Sequence, residues 1–248
     1  MSKILVLDAG HDEADPGAVG NGLKEADLTI KICENVKVRL APYDVQVLIC
    51  PRSDSLSDRA QYAADKKADY FLSIHVNAAA DPTANGFESF CCIGALEESE
   101  RIRRVLHDEI VAFLSTQGIR DRGKKNHSWT VLYRSHIADI PAALLECLFI
   151  NNPLEARKLA SDTFISGLAN SIAYGLVLAL RLQKKALITP APIPVTVVNP
   201  TAAAITKLYS AGKIKSADYW NINAKAGETC RGDYVAALLQ AWAEDLSE

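Results

Sequence analysis

The sequence KILVLDAGH, residues 3–11, contains the first short apolar run of the chain and ends in polar residues. Its apolar part, Lys3–Asp8, predicts a buried strand of an α/β sheet. Ligands of such sheets gather where strands end and loops begin. His11 falls at that point, and the turn Asp15-Pro16-Gly17 after it allows the backbone to approach a ligand closely.

Similar apolar runs alternate with stretches of helical spacing as far as about Leu182. The predicted strands are Lys3–Asp8, Val45–Ile49, Tyr70–Ile74, Phe87–Cys92, Trp129–Tyr133 and Ala143–Ile150. The predicted helices are Leu28–Leu40, Asp58–Lys67, Glu97–Leu114 and a long helix from Asn152-Pro153 to about Leu182. The polar run Lys124–His127 predicts a solvated loop. This order of elements predicts an α/β domain with a mixed, mostly parallel sheet flanked by helices on both faces.

The composition changes after Leu182, where four prolines stand among small residues at positions 190, 192, 194 and 200. Because proline fixes φ and cannot continue a helix, this stretch predicts a semi-extended linker. We therefore predict a globular domain over residues 1–183, a proline-rich linker over 184–198 and a small helical module over 199–248. A module of this size buries little core, so we expect it to need a partner surface.

The composition of the 248-residue chain excludes some classes of protein. Hydrophobic residues make up 49%, which excludes disorder over most of the chain. The 27 Lys and Arg against 30 Asp and Glu give a net charge of −3, which argues against a nucleic-acid partner, since phosphate binding needs a concentrated positive patch. The six cysteines form no C-x-x-C pair, which favours reduced, buried thiols.

The sequence also bears on export and on membranes. Ile4–Leu7 supplies only four apolar residues, whereas a signal-peptide core needs about 7–15. We therefore expect a chain that is made in the cytoplasm without a signal peptide and stays there until it is released. Ile165–Leu182 is the most membrane-like stretch, and its polar residues favour a core helix over membrane insertion.

Two histidines and two glutamates are the candidates for chemistry. His11 and His75 each follow or end a predicted strand, although either could be structural, and a solvated first-turn acid is the simpler interpretation of Glu25. Glu146 stands inside the apolar run Ala143–Ile150, where an unpaired carboxylate is costly to bury. Because desolvation raises a carboxyl pKa towards neutrality, Glu146 is the strongest single indication of function.

These residue types suit a catalytic zinc site. Zinc in hydrolases takes three nitrogen or oxygen ligands from the protein and leaves one position for water. The metal activates water and polarises a carbonyl group, and a further carboxylate moves the proton to the leaving amine. The four residues do not follow the short H-E-x-x-H pattern, so their spacing alone does not identify the ligands.

Four blocks of the sequence resemble the zinc-dependent N-acetylmuramoyl-L-alanine amidases of the bacterial cell wall, a family that includes autolysins and phage endolysins. The blocks are DAGH with DPGAVG (residues 8–20), KEADL (24–28), SIHVNA (73–78) and LECLFINN (145–152). The resemblance covers about residues 3–182, and Ser57-x-Arg59 and VLYR (131–134) also resemble the family. The loop Asp12-Glu13-Ala14 departs from it, because family members often carry small residues there.

The resemblance implies that His11, Glu25 and His75 bind one zinc ion and that Glu146 is the catalytic acid–base. It implies cleavage of the amide between N-acetylmuramic acid and the L-alanine that begins the stem peptide, with bacterial peptidoglycan as the partner and cell lysis as the outcome. The missing signal peptide favours a phage endolysin over an exported autolysin, and a lysin of a sporulating mother cell is the alternative.

Several points stay open in the sequence. Asn77 and Arg134 are candidate substrate contacts, with loop capping and a surface arginine as the alternatives. An inactive cell-wall-binding protein and a zinc peptidase acting on stem peptides are the competing functions. The C-terminal module loosely resembles segments at the ends of some endolysins, which favours wall binding, with a homodimer contact or a packing appendage as alternatives. No role is predicted for His127 or His136.

Overall fold

The computed structural model describes residues 2–52 and 55–185, together with the isolated positions 210 and 212. The strands are β1 (Lys3–Ala9), β2 (Val19–Gly20), β3 (Leu23–Lys24), β4 (Val45–Ile49), β5 (Tyr70–Asn77), β6 (Phe87–Cys91), β7 (Asp121–Asn126) and β8 (Ala142–Phe149). The helices are α1 (Glu25–Leu40), α2 (Leu56–Asp65), α3 (Glu97–Thr116), α4 (Thr130–Ile137), α5 (Pro153–Leu159) and α6 (Asp162–Leu180). Most of the predicted linker and C-terminal module lies outside the described residues, and both stay predictions.

Six of the strands form one sheet in the order β4-β1-β5-β8-β6-β7. Strands β4, β1, β5 and β8 run parallel to one another, whereas β6 pairs antiparallel with β8 and parallel with β7. The prediction of a mixed, mostly parallel sheet is therefore confirmed. Strand β8 is the last strand of the sheet in sequence, yet it lies in the interior of the sheet, between β5 and β6.

Different helices cover the two faces of the sheet. Helices α1, α3 and α6 cover one face and bury a large apolar cluster that includes Leu7 and Leu145. Helices α2 and α4 pack on the other face through a smaller cluster that includes Phe71 and Leu144, and we call this the α2/α4 face. The prediction of helices on both faces is confirmed.

The α2/α4 face is the one that carries the candidate residues of the sheet. Side chains alternate between the faces along a strand, so His75 projects on the same side as Phe71. Glu146 is paired with His75 and projects on the same side as Leu144. The register of β5 and β8 thus brings a histidine and a glutamate together where these parallel strands end.

Helix α6 is long and apolar enough to cross a membrane, by length and composition only. It packs against α1 and α3, and 61% of its most apolar window is buried. Side chains such as Ile172 and Leu176 are fully buried. This burial agrees with the predicted core helix.

The structure corrects the prediction of a strand over Trp129–Tyr133, because Thr130–Ile137 forms helix α4. The buried residues of α4 are Val131, Leu132 and Ser135, which have helical spacing and face the sheet. A short apolar run does not distinguish a strand from one side of a short helix, and the prediction was wrong for this reason.

The prediction of a solvated loop over Lys124–His127 is also wrong, because Asp121–Asn126 forms strand β7. This strand lies at the edge of the sheet, where it pairs with β6 alone and its side chains are partly or fully exposed. Charged residues are rare in strands generally but are common at sheet edges, where they prevent pairing with another chain.

Two helices replace the single long helix predicted after Asn152. The side chain of Asn152 caps α5, and the hydroxyl of Ser161 accepts a hydrogen bond from the backbone N–H of Phe164 at the start of α6. The polar residues Ser161, Asp162 and Thr163 mark this second helix start in the sequence, and the prediction of one continuous helix was wrong there.

The cysteines of the described residues are free and buried, which agrees with the prediction of reduced thiols. They are Cys33, Cys50, Cys91, Cys92 and Cys147, and Cys230 lies outside the described part of the chain.

Candidate metal centre

His11 lies in the loop directly after β1, at the end of the sheet where the parallel strands finish. Its backbone adopts a φ of 63°, a left-handed conformation that residues other than glycine rarely adopt. Arg52 Nε and Arg59 Nη2 donate hydrogen bonds to the His11 carbonyl oxygen, at 3.0 and 3.1 Å. His11 Nδ1 lies 2.7 Å from Asp15 Oδ2, so this carboxylate orients the ring and leaves Nε2 facing Glu25.

Glu25 is the first residue of α1, and its carboxylate is buried between the two histidines. Oε1 accepts a hydrogen bond from the backbone N–H of Val76 and lies 3.0 Å from His75 Nδ1. Oε2 accepts a hydrogen bond from the backbone N–H of Ala18 and lies 3.3 Å from His11 Nε2. The simpler interpretation of Glu25 as a solvated acid is therefore wrong.

His75 reaches Glu25 from near the end of β5, next to a glycine that makes room for it. The His11 and His75 rings lie edge to face, with their centroids 5.3 Å apart. A Cβ atom at Gly10 would lie 2.4 Å from Cε1 of His75, so a larger residue would displace the His75 ring from this position. The hydroxyl of Thr29 donates to the Gly10 carbonyl oxygen at 2.7 Å and fixes the backbone at this point.

His11, Glu25 and His75 form a set of three potential metal ligands. One ligand atom from each residue lies within 4.8 Å of the other two. Two imidazole nitrogens and one carboxylate oxygen are a donor set that suits zinc. The His11 and His75 side chains are 27% and 16% exposed, so the set can be reached from solvent.

Glu25 also sets the pKa values of the two histidines. Its hydrogen bond raises the pKa of His11 to about 9, although burial acts in the opposite direction. Burial would lower the pKa of His75, but its hydrogen bond to Glu25 and the charge of Glu146 raise it. Burial would raise the pKa of Glu25, but the hydrogen bonds with both histidines lower it well below its usual range. A metal bound here must displace protons, since a ligand histidine is neutral.

Glu146 lies on β8 directly opposite His75. Within the described part of the chain, its buried Oε2 atom has no hydrogen-bond partner. Burial raises the pKa of Glu146 to about 7, the charge of His75 opposes this rise, and the charges of Glu25 and Glu88 add to it. A carboxyl group with a pKa near neutrality can both accept and donate a proton at physiological pH.

A buried ion pair supports the loop that carries His11. Arg59 Nη1 lies 2.9 Å from Asp8 Oδ1 and also donates to the carbonyl oxygen of Ala9. The hydroxyl of Ser73 donates to the other oxygen of Asp8 at 2.7 Å. The sequence drew attention to Arg59 only through the family resemblance, and the structure shows that its guanidinium fixes the backbone on both sides of Gly10.

The two predicted substrate contacts lie in different places. Asn77 follows His75 on β5, where its Nδ2 donates to Glu88 Oε1 at 2.8 Å and its Oδ1 accepts from the backbone N–H of Ala78. Arg134 lies on the exposed side of α4, in a cleft against α2. No contact among the described residues joins Arg134 to the four residues around His11.

Sequence reasoning missed two acidic residues near the site. Asp15 orients His11, and its position in a tight turn suggested only loop geometry. Glu88 lies on β6, buried and directly opposite Glu146. The sequence did indicate Glu88, because it is an acidic residue within the mostly apolar stretch Phe87–Cys91. The same criterion singled out Glu146.

The fold and the site together define an α/β protein whose candidate metal ligands and buried carboxyl group meet where parallel strands end. The sequence matches the N-acetylmuramoyl-L-alanine amidase family, Amidase_3, over residues 5–177. The chain belongs to this family and is an amidase that acts on peptidoglycan.

Individual relatives agree with this assignment. The endolysin of Bacillus phage SPP1 is 40% identical over 191 residues, which cover 75% of this chain and 69% of the relative. The sporulation-specific N-acetylmuramoyl-L-alanine amidase of Bacillus subtilis is 38% identical over 189 residues, or 74% of this chain and 70% of the relative. The crystal structure of an N-acetylmuramoyl-L-alanine amidase from Clostridium difficile is similar with a TM-score of 0.68 and 29% identity, and the match covers 73% of this chain and 97% of that one.

Proposed function

We propose that His11, Glu25 and His75 bind one zinc ion per chain and that Glu146 is the catalytic acid–base of the amidase. The observation that carries this proposal is the approach of the three donor atoms to within 4.8 Å of one another, beside Glu146. Zinc held by these ligands supplies Lewis acidity at the scissile carbonyl group and makes water a stronger nucleophile. The resemblance of the same four positions to the family motifs supports these roles.

Glu146 moves the proton in this proposal. It takes a proton from the attacking water and returns it to the nitrogen of the leaving L-alanine. Its buried position and its pKa of about 7 suit both steps at neutral pH. The products are a glycan that keeps the lactyl carboxylate and a peptide that begins with a free L-alanine amine.

We also propose that Asn77 contacts the substrate. It lies two residues beyond His75, and its bond to Glu88 uses only one of its two amide hydrogens, so a second hydrogen is available for a peptide carbonyl. Arg134 stays a second proposed contact, because an exposed guanidinium can bind a carboxylate with two hydrogen bonds.

The biological role that we propose is that of a phage endolysin, made in the cytoplasm and active on the cell wall after release. The 40% identity with the endolysin of Bacillus phage SPP1 supports this role. A lysin of the sporulating mother cell is the second candidate, and the 38% identity with the sporulation-specific amidase of Bacillus subtilis favours it.

The predicted C-terminal module, residues 199–248, would hold the enzyme on the wall or join two copies of the chain. Comparing the full chain with a chain that ends at residue 185 tests this. Wall targeting predicts weaker sedimentation of the shortened chain with purified walls. A homodimer contact instead predicts that the full chain sediments as a dimer and the shortened chain as a monomer in analytical ultracentrifugation.

Metal content and product analysis test the main proposal. We expect one zinc ion per chain and loss of peptidoglycan cleavage after chelation, with recovery when zinc is added back. The released peptides should carry a new L-alanine amino terminus and the glycan strands should stay intact. New termini inside the stem would instead indicate a peptidase, and wall binding without any cleavage would indicate an inactive binding protein.

A further inference from the structure

Strand β7 places two basic side chains beside the carboxylate of Glu88. Arg122 Nε lies 2.9 Å from Glu88 Oε2, and the ammonium group of Lys125 also donates to this oxygen. Glu88 Oε1 accepts the hydrogen bond from Asn77 described above. One buried carboxylate therefore holds two cations, and this group of three side chains has a net charge of +1.

The pairing register of β5, β8 and β6 places Glu88 and its two basic partners in line with the candidate metal centre. His75 is opposite Glu146, and Glu146 is opposite Glu88. Because neighbouring strands are about 4.8 Å apart, the row from His75 to Glu88 spans about 10 Å on the α2/α4 face. Arg122 and Lys125 lie at the far end of this row from the metal ligands.

Both basic side chains are fixed in place and remain accessible. The guanidinium carbon of Arg122 lies 4.8 Å from the ring centroid of Phe149, and Lys125 Nζ lies 5.9 Å from that of Phe90. The side chains are 27% and 41% exposed, whereas that of Glu88 is 6% exposed. Among the described residues, Arg122 Nη2 donates to no acceptor, so it is available to an incoming anion.

We propose that Arg122 and Lys125 form a subsite for a carboxylate of the stem peptide, the α-carboxylate of its second residue. This inference rests on the proposed function. Near the scissile amide the sugar side of the substrate is uncharged, whereas the second stem residue carries a carboxyl group that is either free or amidated. An extended peptide reaches about 7 Å in two residues, which lies between the spacing from β8 to β6, about 4.8 Å, and that from β8 to β7, about 9.6 Å.

Two muramyl tripeptides test the subsite, identical except that the α-carboxyl group of the second residue is free in one and amidated in the other. We measure kcat/KM for both and take their ratio within each variant, because the ratio does not depend on the fraction of folded enzyme. The wild type should prefer the free acid about tenfold. Arg122→Gln should reduce the ratio to near one, and Lys125→Gln should reduce it about threefold.

The matched control is Lys124→Gln, because the neighbouring lysine points to the other side of β7 and pairs with Asp108 on α3. Its ratio should equal that of the wild type. An equal loss on both substrates in Arg122→Gln, or a wild type that does not prefer the free acid, would overturn the subsite while leaving the amidase function intact. If the wild type loaded with zinc cleaves neither tripeptide nor peptidoglycan, the proposed function itself is wrong, and not only the subsite.

Discussion

Two clusters of the molecule join histidine to an acidic side chain. The first, the His11 cluster, consists of His11, Glu25 and His75, and the second lies around His107. In the second, His107 of α3 lies with Nδ1 2.8 Å from Ser89 Oγ and with Nε2 3.1 Å from Asp121 Oδ1. These are the residue types of a nucleophilic serine hydrolase triad. Ser89 and His107 are fully buried, however, so no substrate can reach the hydroxyl.

The difference between the clusters lies in access and in the number of donors that converge. Around His11, three candidate ligand atoms from separate elements face a partly open surface. Around His107, each ring nitrogen already has one partner and the ring packs against Phe87, with centroids 5.1 Å apart. The His11 cluster can therefore bind an ion or a substrate. The His107 cluster has no free ring nitrogen for a ligand, and it stabilises the contact of α3 with β6 and β7.

The largest expected effect comes from removing a proposed metal ligand of the His11 cluster. His75→Ala should lose zinc and reduce peptidoglycan cleavage by about four orders of magnitude, because the site loses a donor and the Lewis acid with it. Zinc content and turnover are measured on the same preparation. Full zinc occupancy in this variant would remove His75 from the ligand set.

Replacing Glu146, while the three proposed ligands are kept, should cause a smaller loss of turnover. Glu146→Gln should keep zinc and fold but lose about 10²- to 10⁴-fold in kcat, because the amide cannot accept the proton of water. Zinc analysis and the circular dichroism spectrum control for metal and fold. Near-normal kcat would show that Glu146 is not the acid–base.

Substitution in the His107 cluster should lower the free energy of unfolding and leave turnover nearly unchanged. His107→Ala should lower the free energy of unfolding by about 2–4 kcal/mol, because it leaves a cavity and removes the buried partner of Ser89. Urea denaturation measures this loss. Turnover per folded molecule should stay within about threefold of the wild type, since Ser89 and its partner His107 lie on the opposite face of β6 from Glu88. A loss comparable to that of Glu146→Gln would make the His107 cluster part of the active site.

The smallest expected effects are pH dependences of opposite sign in protein freed of metal by chelation. The pKa of His11 is raised from 6.5 to about 9, so His11 stabilises the fold below pH 6.5 and this contribution is lost as the pH rises to about 9. Burial lowers the pKa of His107 below 6.5, so its contribution is present above pH 6.5 and is lost as the pH falls.

Urea unfolding of the wild type, His11→Gln and His107→Gln at about pH 5.5, 7 and 9 separates these two contributions. The stability difference between wild type and His11→Gln should shrink towards pH 9, and the difference for His107→Gln should shrink towards pH 5.5. If both differences change in the same direction, the opposite environments inferred for the two histidines are wrong.

The sequence could predict much of the first cluster and almost none of the second. Glu146 was visible because a carboxylate among apolar residues contradicts the pattern around it. His107 was hidden, because α3 is rich in charged residues and a histidine among them resembles a surface position. Its partners Ser89 and Asp121 come from β6 and β7, the strands that precede and follow α3 in the sequence.

Strands and helices were predictable where their apolar pattern was long. Strands β1 and β8 and helix α1 follow directly from apolar runs and spacing. Edge strand β7 and helix α4 were not predictable, because the first is charged and the second is short. The pairing of Glu88 with Glu146 was equally out of reach, since it depends on the antiparallel insertion of β6 beside β8.

The interior position of β8 has a consequence for the time at which the enzyme becomes active during its synthesis. Residues 142–149 leave the ribosome after every other strand of the sheet, yet they must insert between β5 and β6. A nascent chain that stops before this strand has His11 and His75 but lacks the carboxyl group of Glu146. If Glu146 is the acid–base, as proposed, an unfinished chain is inactive, and the edges of β5 and β6 that β8 would cover stay unpaired.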